Sequence, residues 1–493
     1  MNAALPRVAW VPLLGIVAAK VVVHGAFIGD YGFHRDELYY LMCGRALEWG
    51  YVDHPPLVPL LARGIETLAG PSLVGLRLAS IGLGALIVFA AGLIAREMGG
   101  RAWAQGLAAL AVAASPIFLL TNHLFQTVTP DQAVWVVCSW LVLHILRTGR
   151  ERLWLLVGLI CGVGLLAKYT VALFGLGLVA GLAATPWRRS FRSPWLWAGG
   201  AVAAALVLPN VLWQLHHGWP SAEFIVNRGA RTAAELTPLT FLAIQLAFIG
   251  GISMPVFVAG IARLFGPEAG AARVLGWLWL VVTVLLTAIV AKPYYPAPTY
   301  PVVLAAGALW LEARGTTRGW RRLRVAIPLA LVLGQVPLVW MVLPLVPRET
   351  FARHQDAWPH KEYREMVGWA ELAAQVAAVY HALPADERGR AGLMTDSYGE
   401  AAALDLFGPA HGLPRATSAH NHYYYWGPPE ADVVVVVAWS RDRLAEVFDQ
   451  VDEVRRVTNA LGIVNESAQQ RIFVCRRPLR PWAEIWEALR SFV

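Results

Sequence analysis

The sequence predicts a polytopic α-helical membrane protein that ends in a small α/β domain, and three observations predict it. Of 493 residues, 57% are hydrophobic and only 15% are charged, whereas soluble chains carry about a quarter charged residues. Apolar runs of about 20 residues, enough to cross a bilayer core, recur up to residue 346. Beyond it the pattern changes to short apolar strands between amphipathic stretches. Net charge is +8, but the positives are mostly arginines in short loops, which argues against a nucleic-acid partner. Cys43, Cys138, Cys161 and Cys475 show no metal-type spacing; a Cys43–Cys475 bridge stays open.

In order, eleven spans are expected near 9–28, 73–95, 102–121, 131–146, 153–167, 170–185, 195–215, 239–262, 274–291, 296–312 and 325–346. The run 153–185 is too long for one crossing, and Lys168-Tyr169 divides it into two short helices. No small-residue cleavage site follows the first span, which therefore reads as a membrane helix. Arginines orient the bundle. Arg96 and Arg101, then Arg147, Arg150 and Arg152, then Arg188, Arg189 and Arg192 fall in alternate loops. Arg263 and Arg273 follow, then Arg314, Arg318, Arg321, Arg322 and Arg324. Those loops belong inside, with the N-terminus. Loops 29–72, 122–130, 216–238 and 292–295 then lie outside, and an odd span count puts the tail there too.

The expected organisation is a transmembrane domain, 1–346, multi-pass in the inner (cytoplasmic) membrane, and an extracytoplasmic α/β domain, 347–493. In the tail, an amphipathic helix is expected at about 361–381, with strands at 392–396 (GLMTD), 431–438 (ADVVVVVA) and 471–475 (RIFVC). PWAEIWEALRSF closes the chain as a helix. No glycine-rich phosphate fingerprint joins strand to helix, so a nucleotide domain is not expected.

The densest polar chemistry sits in the first outer loop, YGFHRDELYYLMCGRALEWGYVDHPPL (31–57). Leu38, Leu41, Met42, Leu47 and Trp49 approximate one helical face, which predicts a helix lying along the interface. Asp36 and Tyr40 share a face, with Glu37 beside them. Acids in a first turn also suit a helix dipole and need no further role. Asp53-His54-Pro55-Pro56 closes the loop as a rigid turn. Thr129-Pro130-Asp131 has an equally ordinary reading as a helix start. The cations are more telling. Lys20, Lys168 and Lys292, three of only four lysines, fall toward outer span ends, against the arginine bias. Snorkelling is the bland explanation. The loop HHGWPSAEFIVNRGAR adds His216, His217, Glu223, Arg228 and Arg231; two adjacent histidines are weak grounds for a metal.

Carboxylates and cations on one boundary suit group transfer from a phosphorylated lipid carrier. A carboxylate takes the acceptor hydroxyl's proton, and cations stabilise the departing phosphate. One base suffices for a single inverting displacement, unlike the carboxylate pairs of glycosidases.

Asp36-Glu37-Leu38-Tyr39-Tyr40 resembles the Asp-Glu signature of the GT-C glycosyltransferases. HPPL (54–57), TPD (129–131), AK (167–168), PNVLWQLHHGWPSAEF (209–224) and KPYYPAPTYPVVLAAGALW (292–310) follow in order. The series resembles glycosyltransferase family 39 and the protein mannosyltransferase-like group, including lipid A aminoarabinose transferases. The resemblance implies a GT-C-like bundle with Asp36 as catalytic base, and with Glu37 and Asp131 positioning it or the acceptor. His54, Lys168, Arg228 and Lys292 would hold the carrier phosphate, and Tyr39, Tyr40 and Tyr295 would line the sugar pocket. His54 stands where relatives often carry a lysine. Asn227 stands where some place a metal-binding histidine, so a divalent metal, with Asp53 as its ligand, stays open and no cofactor is assigned.

The expected activity is inverting transfer of a hexose or pentose from a polyprenyl-phosphate donor to a lipid, glycan or protein hydroxyl. The alternative is a transporter or flippase of lipid-linked saccharides, which would spread polar residues through the bilayer midplane. A receptor with an outer ligand-binding domain would leave the first-loop acids unexplained.

Overall fold

A computed structural model of the chain describes residues 5–314, 318–356 and 362–493. The N-terminal part is all helical. Its elements are α1 (Trp10–Gly25), α2 (Arg35–Arg45), α3 (Leu57–Ala69), α4 (Leu73–Glu97), α5 (Ala102–Ala114), α6 (Pro116–Thr121), α7 (Val128–Thr148) and α8 (Trp154–Leu165). They continue as α9 (Val171–Ala183), α10 (Pro194–His216), α11 (Pro220–Glu235), α12 (Pro238–Ile249), α13 (Met254–Phe265), α14 (Ala272–Ala288), α15 (Tyr300–Ala313) and α16 (Arg318–Val342).

Every expected span contains helix, but element lengths do not give eleven crossings. Among the described residues four helices (α4, α7, α10 and α16) are long and apolar enough to cross a membrane, or up to six spans if bent pairs are joined. Proline and glycine break two of the other expected spans. Pro116 separates α5 from α6, and Gly250 to Ser253 separate α12 from α13. Such breaks survive at membrane depth where protein covers the freed backbone groups. Small residues bring the helices close, as membrane packing requires. A Cβ on Gly158 of α8 would meet the backbone of Gly199 in α10, and one on Gly199 would meet Trp154.

The C-terminal part holds α17 (Arg348–Arg353), α18 (Trp369–His381), α19 (Ala385–Arg388), β1 (Ala391–Thr395), α20 (Tyr398–Phe407), β2 (Ala416–Thr417) and β3 (Val433–Ala438). After them come α21 (Arg441–Ala445), β4 (Phe448–Arg456), β5 (Arg471–Pro478) and α22 (Trp482–Leu489). The sheet order is β2-β1-β3-β5-β4. β1 pairs parallel to β2 and β3, while β5 runs antiparallel to β3 and β4. All of β3 is buried because both faces are covered. Val433, Val435 and Val437 face a core shared with α18 and α20, and Val434 and Val436 face one shared with α22. The helix expected at 361–381 begins at Trp369, and position 361 lies outside the described residues.

One expectation changes here and one open point closes. α2 does not turn its apolar face to lipid. Leu38, Leu41 and Met42 are buried in one core with α3, α18 and α20, so the C-terminal part covers this face. Leu47 and Trp49 lie beyond the helix end and are exposed. The neighbouring α3 carries exposed Leu60, Leu61 and Leu68 opposite buried Val58 and Ala62, which suits a membrane boundary. The Cys43–Cys475 bridge is also absent: both thiols are free, one in the core with α20 and the other on the α22 side of the sheet.

Candidate active site

α2 begins with a reciprocal cap. The His34 ring accepts from Asp36 N at 3.2 Å, and Glu37 accepts from His34 N at 2.8 Å. The cap fixes the first turn and leaves the Asp36 carboxylate at the helix N-terminus, where the dipole favours negative charge. Its two oxygens are held from different halves of the chain. Oδ1 accepts from the Tyr398 hydroxyl at 2.8 Å, and Oδ2 from Gln126 Nε2 at 3.3 Å. Burial, with Asp36 adding to it, pushes the Tyr398 phenol well above its ordinary value, so it stays a donor. Arg35 lies 4.0 Å from Asp36 and pairs with Glu466 at 2.5 Å.

Asp36 opens onto a cavity of about 1280 Å³ between the helical bundle and the α/β part. Tyr40, Asp53, His54, Lys168, Arg228, Lys292 and Tyr295 line the same space. The ammonium groups of Lys168 and Lys292 both face the Tyr294 ring, at 4.9 and 6.0 Å from its centroid. Lys168 also lies 5.2 Å from the Tyr295 ring and donates to Thr127 at 3.4 Å. The stiff aromatic turn after Lys292 thus holds the two lysines on one wall. Arg228 and Arg231, both exposed, reach the cavity from α11. Asn227 of that helix donates to Phe492 O at 2.8 Å, tying it to the chain end.

Three sequence candidates stand behind the wall. Glu37 is fully buried and pairs with Arg77 through both oxygens, at 3.1 Å each. Phe125 N donates to it at 3.0 Å. Tyr39 donates to Asp53 Oδ1 at 2.8 Å and orients that carboxylate. Asp131 is buried in α7, accepts from Trp135 Nε1 at 2.9 Å, and lies near enough to Lys168 for its charge to act there. His54 lines the cavity among the rings of Tyr39, Tyr40 and Tyr51, but its Nε2 is buried, 3.8 Å from Asp53 and without a hydrogen-bond partner among the described residues.

A metal does not fit this donor set. Asp53 Oδ1 is taken by Tyr39, and His217 stacks on Trp213 with Nδ1 at that residue's carbonyl. Among the described residues no three His, Cys, Asp or Glu side chains converge to hold an ion. The wall is cationic and suits an anion instead.

Sequence reasoning missed Gln126 and Tyr398. Gln126 precedes the TPD motif by three positions and was within reach of an outer-loop argument. Nothing local links Tyr398 to a carboxylate 362 positions away. His34 was missed as well. Burial opposes its charge, yet Asp36 and Glu362 raise its pKa above the ordinary value.

Residues 53–213 match the family model for dolichyl-phosphate-mannose-protein mannosyltransferases. The lipid A galacturonosyltransferase RgtD of Rhizobium johnstonii is 26% identical over 402 residues, 76% of this chain and 78% of that protein. The fold matches ArnT from Cupriavidus metallidurans bound to undecaprenyl phosphate, with a TM-score of 0.61, 16% identity, and 94% and 97% of the two chains covered. An oligosaccharyltransferase of Archaeoglobus fulgidus matches at a TM-score of 0.50 with 13% identity, over 82% of this chain and 64% of that one. The chain therefore has the GT-C architecture, a helical membrane domain followed by a small α/β domain.

Proposed function

We propose that the chain is a GT-C-type glycosyltransferase, related to lipid A-modifying enzymes and dependent on a polyprenyl-phosphate sugar, that works by a single inverting displacement on the non-cytoplasmic face of the inner membrane; the family-model match, the relative and the shared fold support this reading. One observation carries the mechanism: a carboxylate at a capped helix start shares its cavity with Lys168, Arg228 and Lys292.

Asp36 accepts the proton of an acceptor hydroxyl as that oxygen attacks the anomeric carbon from the face opposite the phosphate. The bond from the anomeric carbon to the phosphate oxygen breaks, and its electron pair leaves with the carrier phosphate. Lys168, Arg228 and Lys292 stabilise the charge that develops there. No general acid is needed because a phosphate ester is already a good leaving group. Glu37 and Asp131 act indirectly: Glu37 locks the turn that aims Asp36, and Asp131 holds Lys168 in place. Asp53, oriented by Tyr39, and His54 form the floor beneath the sugar, with Tyr40 and Tyr295 on its apolar sides. The apolar stretch of the lining, with Leu173, Phe248 and Leu286, suits the isoprenoid chain.

Asp36→Asn tests this with purified full-length chain, undecaprenyl-phosphate sugars as donors and lipid A as acceptor. The expected result is loss of transfer by about 10²- to 10⁴-fold, the contribution of a general base, with undecaprenyl phosphate binding unchanged. Near-normal turnover removes Asp36 from the mechanism. Carrier movement across vesicles without any glycoside product favours a flippase instead. A reporter fused to the C-terminus checks the orientation, and a cytoplasmic signal there breaks the site assignment.

A further inference from the structure

We propose that the crevice at the carboxyl ends of β1 and β3 is the acceptor's saccharide site, with Trp439 as its platform and Arg443 and Asp396 as its polar walls. The inference rests on the reading that Asp36 activates an acceptor hydroxyl.

Strand order is the starting point. β1 and β3 are adjacent and parallel, but the chain leaves them in opposite directions. After β1 it passes through α20 to β2, on one side of the pair. After β3 it passes through α21 to β4, on the far side of β5. Where connections part in this way, the two loops leave a cleft outside the strand ends, the usual place for a ligand in an open α/β sheet.

Here the cleft opens into the reaction cavity. Asp396, Ser397 and Tyr398 follow β1, Trp439, Ser440 and Arg443 follow β3, and all six line the cavity. The loops are braced against each other, because Asp396 Oδ2 accepts from Trp439 N at 2.9 Å. Bracing leaves the functional groups free. Trp439 is 44% exposed, although it extends a strand whose every residue is buried. Arg443 is exposed, its side chain has no hydrogen-bond partner among the described residues, and its charge reaches Asp396.

An open indole between a carboxylate and a guanidinium suits a sugar ring. The apolar face of a pyranose covers the aromatic surface, and its hydroxyls pair with charged donors and acceptors at the rim. Position decides which sugar. Tyr398 stands two residues beyond Asp396 and holds Oδ1 of Asp36, while Oδ2 is held from the membrane half. Tyr398 thus ties the crevice's own loop to the base, while the other carboxylate oxygen is held from the half that carries Lys168 and Lys292. A ring seated on Trp439 belongs to the acceptor rather than the donor.

The experiment is saturation-transfer NMR of the full-length chain in detergent with deacylated lipid A saccharide as the probe, beside a separate titration of undecaprenyl phosphate. The wild type should bind both. Trp439→Ala should weaken saccharide binding tenfold or more, Trp439→Phe should retain most of it, and Arg443→Gln should weaken it several-fold. Undecaprenyl phosphate affinity should stay within twofold in all three, which also shows that they fold. Saccharide binding that is absent in the wild type, or unchanged in Trp439→Ala, overturns the inference. A parallel fall in undecaprenyl phosphate affinity also overturns it, by moving Trp439 to the donor side. A wild type that binds saccharide at Trp439 but not undecaprenyl phosphate supports the crevice and defeats the donor reading.

Discussion

Arg77→Met asks whether Glu37 works through position or through chemistry. The Glu37 carboxylate accepts four hydrogen bonds in the core: two from Arg77 at 3.1 Å, one from Phe125 N at 3.0 Å and one from His34 N at 2.8 Å. Arg77 also donates to the carbonyls of Ile28 and Gly32 at 2.9 and 2.8 Å. Removing the guanidinium leaves a buried anion with two backbone donors and no counter-charge, which costs about 3–5 kcal/mol. The strain falls on residues 28–37, so local opening of α2 is the quantity to follow. At about 1.4 kcal/mol per decade, amide exchange in α2 should speed up by roughly 10²- to 10⁴-fold. Glu37→Gln alone leaves Arg77 its two carbonyl partners and should cost less, about 1.5–3 kcal/mol. The double variant removes both charges, so its cost should fall well short of the sum of the single costs. Hydrogen exchange followed by mass spectrometry of peptides from 29–57 reads all three, with transfer activity measured in parallel. Turnover should fall only as far as opening depletes the closed form. If Glu37→Gln abolishes transfer while α2 exchange stays at the wild-type rate, Glu37 acts on the reacting groups and the positioning argument fails.

Tyr398→Phe removes one charge-assisted hydrogen bond from Asp36 and should lower kcat about tenfold or more, with undecaprenyl phosphate affinity within twofold; unchanged kcat would show that Gln126 alone aims the base. Burial pushes Glu400 up from 4.5 to about 7, so the folded α/β part holds a proton there that the unfolded chain releases. Stability should therefore fall as pH rises through that window, by ~3 kcal/mol, and Glu400→Gln should flatten the dependence in thermal melts between pH 5 and 8; an identical pH dependence in the variant refutes this. Turnover should survive EDTA within twofold, whereas a loss restored by one divalent ion would return Asp53 to the metal role.

The sequence made the cationic wall of the cavity legible because proline and aromatic spacing restricts those loops locally. Lys168 sits where a run too long for one crossing must turn, and Lys292 opens a proline-rich aromatic turn, so topology alone brings them to one boundary. β1, β3 and β5 were visible for the same kind of reason, since burial of their faces demands apolar runs. β4 (FDQVDEVRR) escaped because an edge strand needs little apolar surface and is protected by charge. α2 misled in the opposite way. Its apolar face reads the same whether lipid or protein covers it, and only the packing of α18 and α20 decides that protein does. Element lengths do not confirm the eleven spans, because Pro116 and Gly250 break helices that composition alone would run together.

The proposed reaction centre draws on both halves of the chain. Asp36 stands in the first turn of α2, yet one of its oxygens answers to Tyr398 and the other to Gln126. The helix that carries it is buried by α18 and α20, and the helix that carries Arg228 is tied to Phe492 at the chain end. A membrane half folded alone would expose Leu38 and Leu41 and leave Asp36 held on one side. A C-terminal half alone would present a crevice with no base beside it. The order in which contacts form follows from this dependence: the α/β part must dock before the carboxylate acquires its second partner. With Asp36 as the proposed base and Trp439 as the proposed acceptor platform, acceptor recognition and base alignment share one interface.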